Sequence, residues 1–283
     1  MRELKMSYYD VYYYCNIIDN LLHLFTENID WAPTGAQFTE PFFEKEIANF
    51  PRYSALHEFC AFAVRVLIDE DAEQSLDIIQ SRFDELENEG NKAKRLHKAF
   101  RFDDDHLDGK IEIDRILSKL KPDTQSFFDF LKKTDCSCIS DDYWDFTFCN
   151  GDLEEAIEQL SRELFYILFQ NREFLYRFNL YMARANLAQG YSSPIKRCSI
   201  PQWVKRAVKY RDRGKCVHCR SDLSSRFDCE DEGAVHFDHI VSLHDGGLND
   251  VSNIQLTCRK CNLSKSGNSF TSTVYNDWYD FES

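Results

Sequence analysis

Two Cys-x-x-Cys pairs near the C-terminal end constrain the fold of this chain more than any other sequence feature. Cys216 and Cys219 form the first pair, and Cys258 and Cys261 form the second pair about forty residues later. Thiolates are the soft ligands that zinc prefers, and four of them complete a tetrahedral shell with no position left for water. The sequence therefore predicts a structural zinc site that holds together the two ends of the intervening segment.

The charges are distributed unevenly along the 283 residues. Residues 201–283 carry 11 basic and 12 acidic side chains, whereas residues 1–200 carry 23 basic and 36 acidic ones. The net charge of -14 excludes a protein that coats nucleic acid with its whole surface. An acidic body joined to a nearly neutral C-terminal region predicts two domains with different roles.

The first two-thirds of the sequence has the apolar spacing of α-helices. Helical patterns cover residues 4–30, 54–68 and 71–86, and a long one begins at Asp152, the expected N-cap, and ends near Gly190. A buried core within one chain explains the wide apolar face of the last helix better than contact with a second copy. We therefore predict a helical, acidic domain with a recognition or regulatory role at 1–190, and a homodimer or protein partner remains open.

The cysteines indicate the compartment. There are 11 of them, an odd number, and no secretory signal is visible at the start of the sequence. The longest apolar run is about ten residues, which is too short to span a bilayer. We expect a reduced, cytoplasmic protein whose unpaired cysteines are mostly small buried hydrophobic residues.

A short Pro- and Ser-containing connector at 191–200 precedes a basic stretch. Residues 196–220 contain nine Lys or Arg residues and one acid, Asp212. Such a run is often only a solvated face, but its position beside the cysteine pairs favours contacts with phosphates.

The segment between the cysteine pairs contains several polar residues in a strand-and-loop pattern. Residues 235–240 alternate as in a strand, which sends Asp238 and His239 to opposite faces. Gly246-Gly247 predicts a loop, and residues 253–257 are predicted to begin a helix that carries the second cysteine pair.

Residues 196–270 resemble the HNH endonuclease family, which has a ββα-metal fold. The resemblance rests on Asp238-His239-Ile240, Gly246-Gly247, Asn253, Cys258-x-x-Cys261-Asn262 and Lys265, preceded by Arg211-Asp-Arg-Gly-Lys-Cys216. The sequence departs from the family pattern at Ser242 and His244, and every position with a chemical role is present. The predicted fold class is therefore α+β, with a mainly helical domain followed, at 201–283, by a small HNH domain stabilised by zinc.

The resemblance implies a role for each matching residue. His239 would be the general base, and Asp238 and Asn262 would hold one Mg²⁺ or Mn²⁺ ion. Asn253 would brace the loop that orients His239, and His236 is expected to be a strand-face residue. Candidate contacts with the nucleic acid are Arg211, Lys215, Lys260, Lys265 and His244, the last of which could equally be a surface residue.

The resemblance implies a metal-dependent endonuclease that cleaves DNA and leaves 5′-phosphate and 3′-hydroxyl ends. An HNH domain joined to an unrelated helical domain is similar in architecture to bacterial restriction and anti-phage effectors. Two alternatives remain open, which are a zinc-stabilised nucleic-acid-binding module without cleavage and a nuclease that acts on RNA.

Overall fold

The computed structural model describes most of the chain. The described residues are 8–28, 30, 32–44, 49–88, 90–101, 111–134, 138–188, 195–224, 235–265, 268–269 and 271. None of the helices in these ranges is long and apolar enough to cross a membrane. The acidic segment at 102–110 and the segment at 225–234 that precedes the Asp-His pair lie outside the described residues.

The described part of the chain is mainly helical up to residue 188 and ends in a small two-stranded sheet and a helix, as predicted. The strands are β1 (Val235–His239) and β2 (Ile254–Cys258). The helices are α1 (Tyr8–Glu27), α2 (Ala32–Glu44), α3 (Ala55–Glu85), α4 (Lys92–Ala99), α5 (Glu112–Leu120), α6 (Phe127–Leu131), α7 (Ile139–Cys149), α8 (Gly151–Leu168), α9 (Arg172–Ala188), α10 (Gln202–Arg211) and α11 (Arg259–Lys265).

The chain forms two compact units whose boundaries fall inside α1, α3 and α8. The first unit contains residues 1–14 and 61–163, and the second contains residues 15–60 and 164–283. Helices α2 and α9 therefore belong to the same unit as the cysteine pairs. Residues 189–194 are not described, so the domain boundary predicted at 191–200 stays a prediction.

The first unit is a helical unit with an aromatic centre. The Phe127 ring packs edge-on against Tyr143, with ring centroids 5.3 Å apart, and both side chains are fully buried. The Asp114 carboxylate accepts the main-chain N–H groups of Phe127 and Phe128, at 2.6 and 3.2 Å, and so caps the start of α6. The described residues of this unit contain no motif with a recognised chemistry.

Two helix predictions need correction. The helix predicted from Asp152 to residue 190 is in fact two helices, α8 and α9, because the Asn171 side chain accepts the N–H of Phe174 and starts a new helix. Asn150, rather than Asp152, caps α8 by accepting the N–H of Asp152 at 3.1 Å. The segments 54–68 and 71–86 form the single helix α3. Apolar spacing continues across such boundaries and therefore does not reveal them.

The second unit packs α2, α3 and α9 around large side chains. Phe59 lies 5.2 Å from Phe178 between ring centroids, and the Tyr181 hydroxyl donates to the carbonyl of Gly35 at 2.7 Å. A Cβ atom at Gly35 would lie 2.9 Å from the Tyr181 oxygen and 3.0 Å from Phe25, so the close approach of α2 requires glycine.

The sheet is an antiparallel pair in which Asp238 lies opposite Gln255 and His239 lies opposite Ile254. The helix predicted at 253–257 was wrong, because residues 254–258 form β2 and the helix begins at Arg259. This strand is buried on both faces, so it lacks the clean alternation by which a half-buried strand is recognised.

The loop between β1 and β2 is anchored to the helices of the second unit. Asn179 of α9 donates to the carbonyl of Ser252 at 3.1 Å, and Asn186 donates to the carbonyl of Gly246 at 2.9 Å. The Asp250 carboxylate accepts the N–H of Ala55 at 2.9 Å, at the first turn of α3. These contacts hold the loop that carries the candidate site against a helical framework.

Candidate active site

The four paired cysteines converge in space, as predicted. The Sγ atoms of Cys216, Cys219, Cys258 and Cys261 all lie within 4.8 Å of one another. The Sγ atoms of Cys219 and Cys258 are 3.7 Å apart, which is close to the sulfur–sulfur separation of about 3.8 Å expected for Zn–S bonds of about 2.3 Å in a tetrahedron. The cluster thus has the ligand chemistry and spacing of a structural zinc site.

Local turns and the sheet position these thiols. The Val217 N–H donates to the carbonyl of Leu256 at 3.0 Å, which joins the first cysteine pair to β2. Arg220 adopts a left-handed conformation, with φ at 61°, and its N–H closes the turn on the carbonyl of Cys216. Hydrogen bonds from Ser221 lower the pKa of the Cys219 thiol, whereas burial raises the pKa of the Cys216 and Cys261 thiols, so a thiolate without metal is favoured at Cys219.

One carboxylate oxygen of Asp238 is held by two neighbours. The Lys265 ammonium lies 2.7 Å from Asp238 Oδ2, and the Gln255 amide donates to the same oxygen at 3.3 Å. The other oxygen, Oδ1, makes no hydrogen bond with the described part of the chain. The Asp238 side chain is 21% exposed, so solvent still reaches part of this oriented carboxylate.

Asn262 on α11 faces the same side of β1 as Asp238. Its Nδ2 atom lies 3.3 Å from Nδ1 of His236, and His236 and Asp238 share one face of the strand because they are two residues apart. Within the described residues, Asn262 Oδ1 has no hydrogen bond. Two oxygen atoms without such bonds thus lie where α11 packs on β1, and this donor set suits a hard divalent cation.

His239 lies on the opposite face of β1 and is 6% exposed. Its Nε2 atom is 3.1 Å from Oδ1 of Asn249. Burial lowers the pKa of His239 below its usual value, although the bond to Asn249 and the negative charge of Asp238 oppose this shift. The neutral imidazole, which can accept a proton, is therefore favoured near neutral pH.

Asn253 is fully buried and makes three side-chain hydrogen bonds. Its Oδ1 accepts the N–H of Val241 at 2.8 Å, and its Nδ2 donates to the carbonyls of Val241 and Leu248 at 3.0 and 2.9 Å. The Asn253 carbonyl also accepts the N–H of Ile240 at 2.7 Å. These contacts join the end of β1 to the far side of the loop, so Asn253 has the geometry of a brace.

Two of the five basic candidates are buried and already bonded. The Arg211 guanidinium makes two 2.9 Å bonds to the Asp212 carboxylate and one of 2.6 Å to the carbonyl of Ile254. The Lys265 side chain is 4% exposed and bonds to Asp238 and to the carbonyl of His239. These bonds occupy the charged groups of both residues and leave them less accessible to a phosphate than exposed side chains are.

The other three basic candidates are more accessible. Lys260 on α11 and His244 in the loop are exposed, and Lys215 is half-buried beside the first cysteine pair. The exposed face of α10 adds Arg206 and Lys209.

Sequence reasoning missed Asn249 and Asp212. Asp212 is buried and accepts the N–H of Leu256 at 2.9 Å as well as the bonds from Arg211. Its position next to Arg211 was the only local signal for this pair. Asn249 follows Gly-Gly-Leu, which indicates a turn, and no local pattern indicates that its side chain meets His239 ten residues away.

Comparison with known proteins identifies one domain. Residues 216–267 match the family model described as HNH endonuclease. No curated protein and no solved structure matches the chain. The match covers the cysteine cluster, both strands and α11, and so the C-terminal part of the chain contains an HNH nuclease domain.

Proposed function

Starting from the HNH domain at residues 216–267, we propose that the protein is a metal-dependent endonuclease that hydrolyses DNA phosphodiester bonds. The observation that carries the proposal is the arrangement at the end of β1. A neutral, buried His239 lies on one face of the strand, and the Asp238 and Asn262 oxygens lie on the other. Such hydrolysis needs a general base and oxygen ligands for a metal ion close to each other.

The metal-binding part of the proposal assigns Asp238 and Asn262 as ligands of Mg²⁺ or Mn²⁺. Lys265 and Gln255 orient Asp238 through Oδ2 and leave Oδ1 for the ion, as expected for residues that support a ligand. When bound, such an ion neutralises the charge on the scissile phosphate and on the leaving oxygen.

His239 would act on the attacking water. Its neutral ring takes a proton from water, the water oxygen forms a bond to phosphorus, and the bond between phosphorus and the 3′-oxygen breaks. Solvent then protonates the leaving oxygen, which gives 5′-phosphate and 3′-hydroxyl products. General base catalysis of this kind contributes about 10²–10⁴-fold to a rate.

The nucleic acid would be held by exposed cationic side chains near the site. Lys260 lies on α11, close to Asn262, and Arg206, Lys209 and Arg213 are exposed on or just after α10. Tyr210 is 86% exposed among them and offers a ring for stacking on a base. Because cations release counterions from the phosphate backbone, binding should weaken as salt increases.

The test is cleavage of supercoiled plasmid with Mg²⁺ or Mn²⁺ by the zinc-loaded full chain. We expect wild-type protein to convert plasmid to nicked or linear DNA and the His239→Ala variant to lose about 10²-fold or more of that rate. The matched control is His23→Ala, which removes an exposed histidine on α1 and should cleave at the wild-type rate.

The plasmid assay, together with the same assay on labelled RNA, distinguishes three possible functions. Cleavage that disappears only in His239→Ala supports the proposal. Salt-dependent DNA binding with no scission under any divalent ion would support a binding module instead. Scission of labelled RNA but not of DNA of the same sequence would assign the activity to RNA.

A role in bacterial restriction or anti-phage defence is proposed on architecture alone, since a free nuclease endangers its own host. Reduced phage plaque formation by cells that express the wild-type protein, and not by cells that express His239→Ala, would support it. Equal plaque numbers for both would contradict it.

A further inference from the structure

Asn249 contacts the candidate base directly. Its Oδ1 atom lies 3.1 Å from Nε2 of His239, and both residues are buried. The opposite orientation of the imidazole ring would place a carbon atom against this oxygen and lose the hydrogen bond. The ring orientation with Nε2 toward Asn249 is therefore the favoured one.

The amide group of Asn249 has only one orientation that satisfies its neighbours. Its Nδ2 atom donates to the carbonyl of Lys196 at 2.9 Å and to Oδ1 of Asn49 at 2.7 Å. A main-chain carbonyl only accepts, so an amide rotated by 180° would set two oxygen atoms against each other. Oδ1 must consequently point toward His239.

This orientation determines which nitrogen of His239 carries the proton. An amide oxygen accepts and does not donate, so a bond to it requires a proton on Nε2. In the neutral imidazole the lone pair is then on Nδ1, because only one ring nitrogen is protonated. Nδ1 makes no hydrogen bond with the described residues.

The contacts that orient Asn249 come from outside the segment matched by the HNH family. Asn49 and Phe50 precede α3, and the Phe50 N–H donates to the Asn249 carbonyl at 2.8 Å. Lys196 lies before α10. All of these residues belong to the second unit, so residues far apart in sequence jointly hold one side chain.

We propose that Asn249 is a positioning residue that holds His239 with its proton on Nε2 and its basic lone pair on Nδ1, and that Asn49 and the Lys196 carbonyl orient Asn249 for this task. The inference rests on the proposed nuclease function for its effect on catalysis. It concerns the ground state of the protein, however, and can be tested without substrate.

The first experiment is two-bond ¹H–¹⁵N correlation NMR of the zinc-loaded full chain labelled with ¹⁵N-histidine, with His239→Gln used for assignment. We expect the His239 Nε2 atom to carry the proton and its N–H signal to exchange slowly with water, as a buried hydrogen bond requires. A proton on Nδ1 in the wild-type protein overturns the proposal, and this measurement needs no Asn249 variant.

The second experiment compares Asn249→Leu, which has no acceptor, with Asn249→Gln, which keeps the amide acceptor and the amide donor. In Asn249→Leu we expect fast exchange of the Nε2 proton, a larger fraction with the proton on Nδ1, and kcat lowered by about 10-fold or more with KM unchanged. Asn249→Gln should restore the slow exchange and part of kcat. Equal losses in both variants, in proportion to their stability, would indicate a purely structural role and overturn the proposal.

The role of Asn49 in orienting Asn249 can be tested separately. Asn49→Leu should accelerate exchange of the same Nε2 proton, whereas Asn28→Leu, a matched change near the end of α1, should leave it unchanged. An Asn49→Leu protein with a wild-type spectrum would overturn the anchoring role.

The NMR result and the cleavage result are independent. An Nε2–H that depends on Asn249 in a protein that cuts nothing supports the positioning role and contradicts the nuclease. Cleavage by a protein whose His239 is protonated on Nδ1 contradicts the positioning role and supports the nuclease.

Discussion

The Lys265 ammonium lies 2.7 Å from Asp238 Oδ2 and also donates to the main-chain carbonyl of His239, so one buried cation holds both members of the Asp-His pair. This lysine is 26 residues from His239 in sequence and comes from α11, whereas the pair ends β1. The contact joins the helix and the strand at the point where the proposed metal ligands meet.

The contact between Lys265 and Asp238 should contribute more to the free energy of unfolding than a surface ion pair does. We expect a double-mutant cycle of Lys265→Met and Asp238→Asn to give a coupling free energy of about 1–3 kcal/mol in urea unfolding, because the charged hydrogen bond is shielded from water. The same cycle at the exposed pair Lys132 and Asp129 is the control and should give about 0–1 kcal/mol. Equal coupling free energies at the two pairs would contradict the expected difference between the Lys265–Asp238 contact and a surface ion pair.

Removal of one cysteine ligand should remove the metal and loosen the fold. Cys258→Ser replaces a thiolate that lies 3.7 Å from Cys219 Sγ, and a structural zinc site stabilises a small domain by an amount on the order of 10 kcal/mol. We expect about one zinc per chain in the wild-type protein by elemental analysis, a loss of zinc in Cys258→Ser, and a lower Tm. Cys149→Ser, at an exposed cysteine outside the cluster, should keep both zinc and Tm.

The loop between the strands has no room for a side chain at Gly247. A Cβ atom there would lie 2.2 Å from the Val241 carbonyl and 2.9 Å from Nδ2 of Asn253. Gly247→Ala should therefore displace the brace and lower the free energy of unfolding by about 1–3 kcal/mol in urea titration. Gly90→Ala is the matched control, since a Cβ at Gly90 meets nothing within 4 Å. A Gly247→Ala protein as stable as Gly90→Ala would show that the loop can move aside.

Much of the architecture could be predicted from the sequence because it depends on short-range patterns. Apolar spacing identified helices in the first two-thirds, and the cysteine spacing identified the four cysteines that converge in space. The helix boundaries were missed because apolar spacing continues across them, and the strand at 254–258 was missed because long-range pairing competed with local propensity. Residues 254–258 form a strand because β1 and the N–H of Val217 bond to it, and neither partner is adjacent in sequence.

The order of amino acids specifies the chemical groups: four thiols in two pairs, an Asp-His pair, and Asn253 and Asn262. The hydrogen-bond partners of each group depend on packing and could not be predicted. Packing buries Arg211 and Lys265 in hydrogen bonds, leaves Asp238 Oδ1 without a hydrogen bond from the described residues, and brings Asn49 and Lys196 to Asn249. The physical reason is that a hydrogen bond depends on the distance and direction between two atoms, which packing sets, and residues 200 positions apart carry no local pattern that records it.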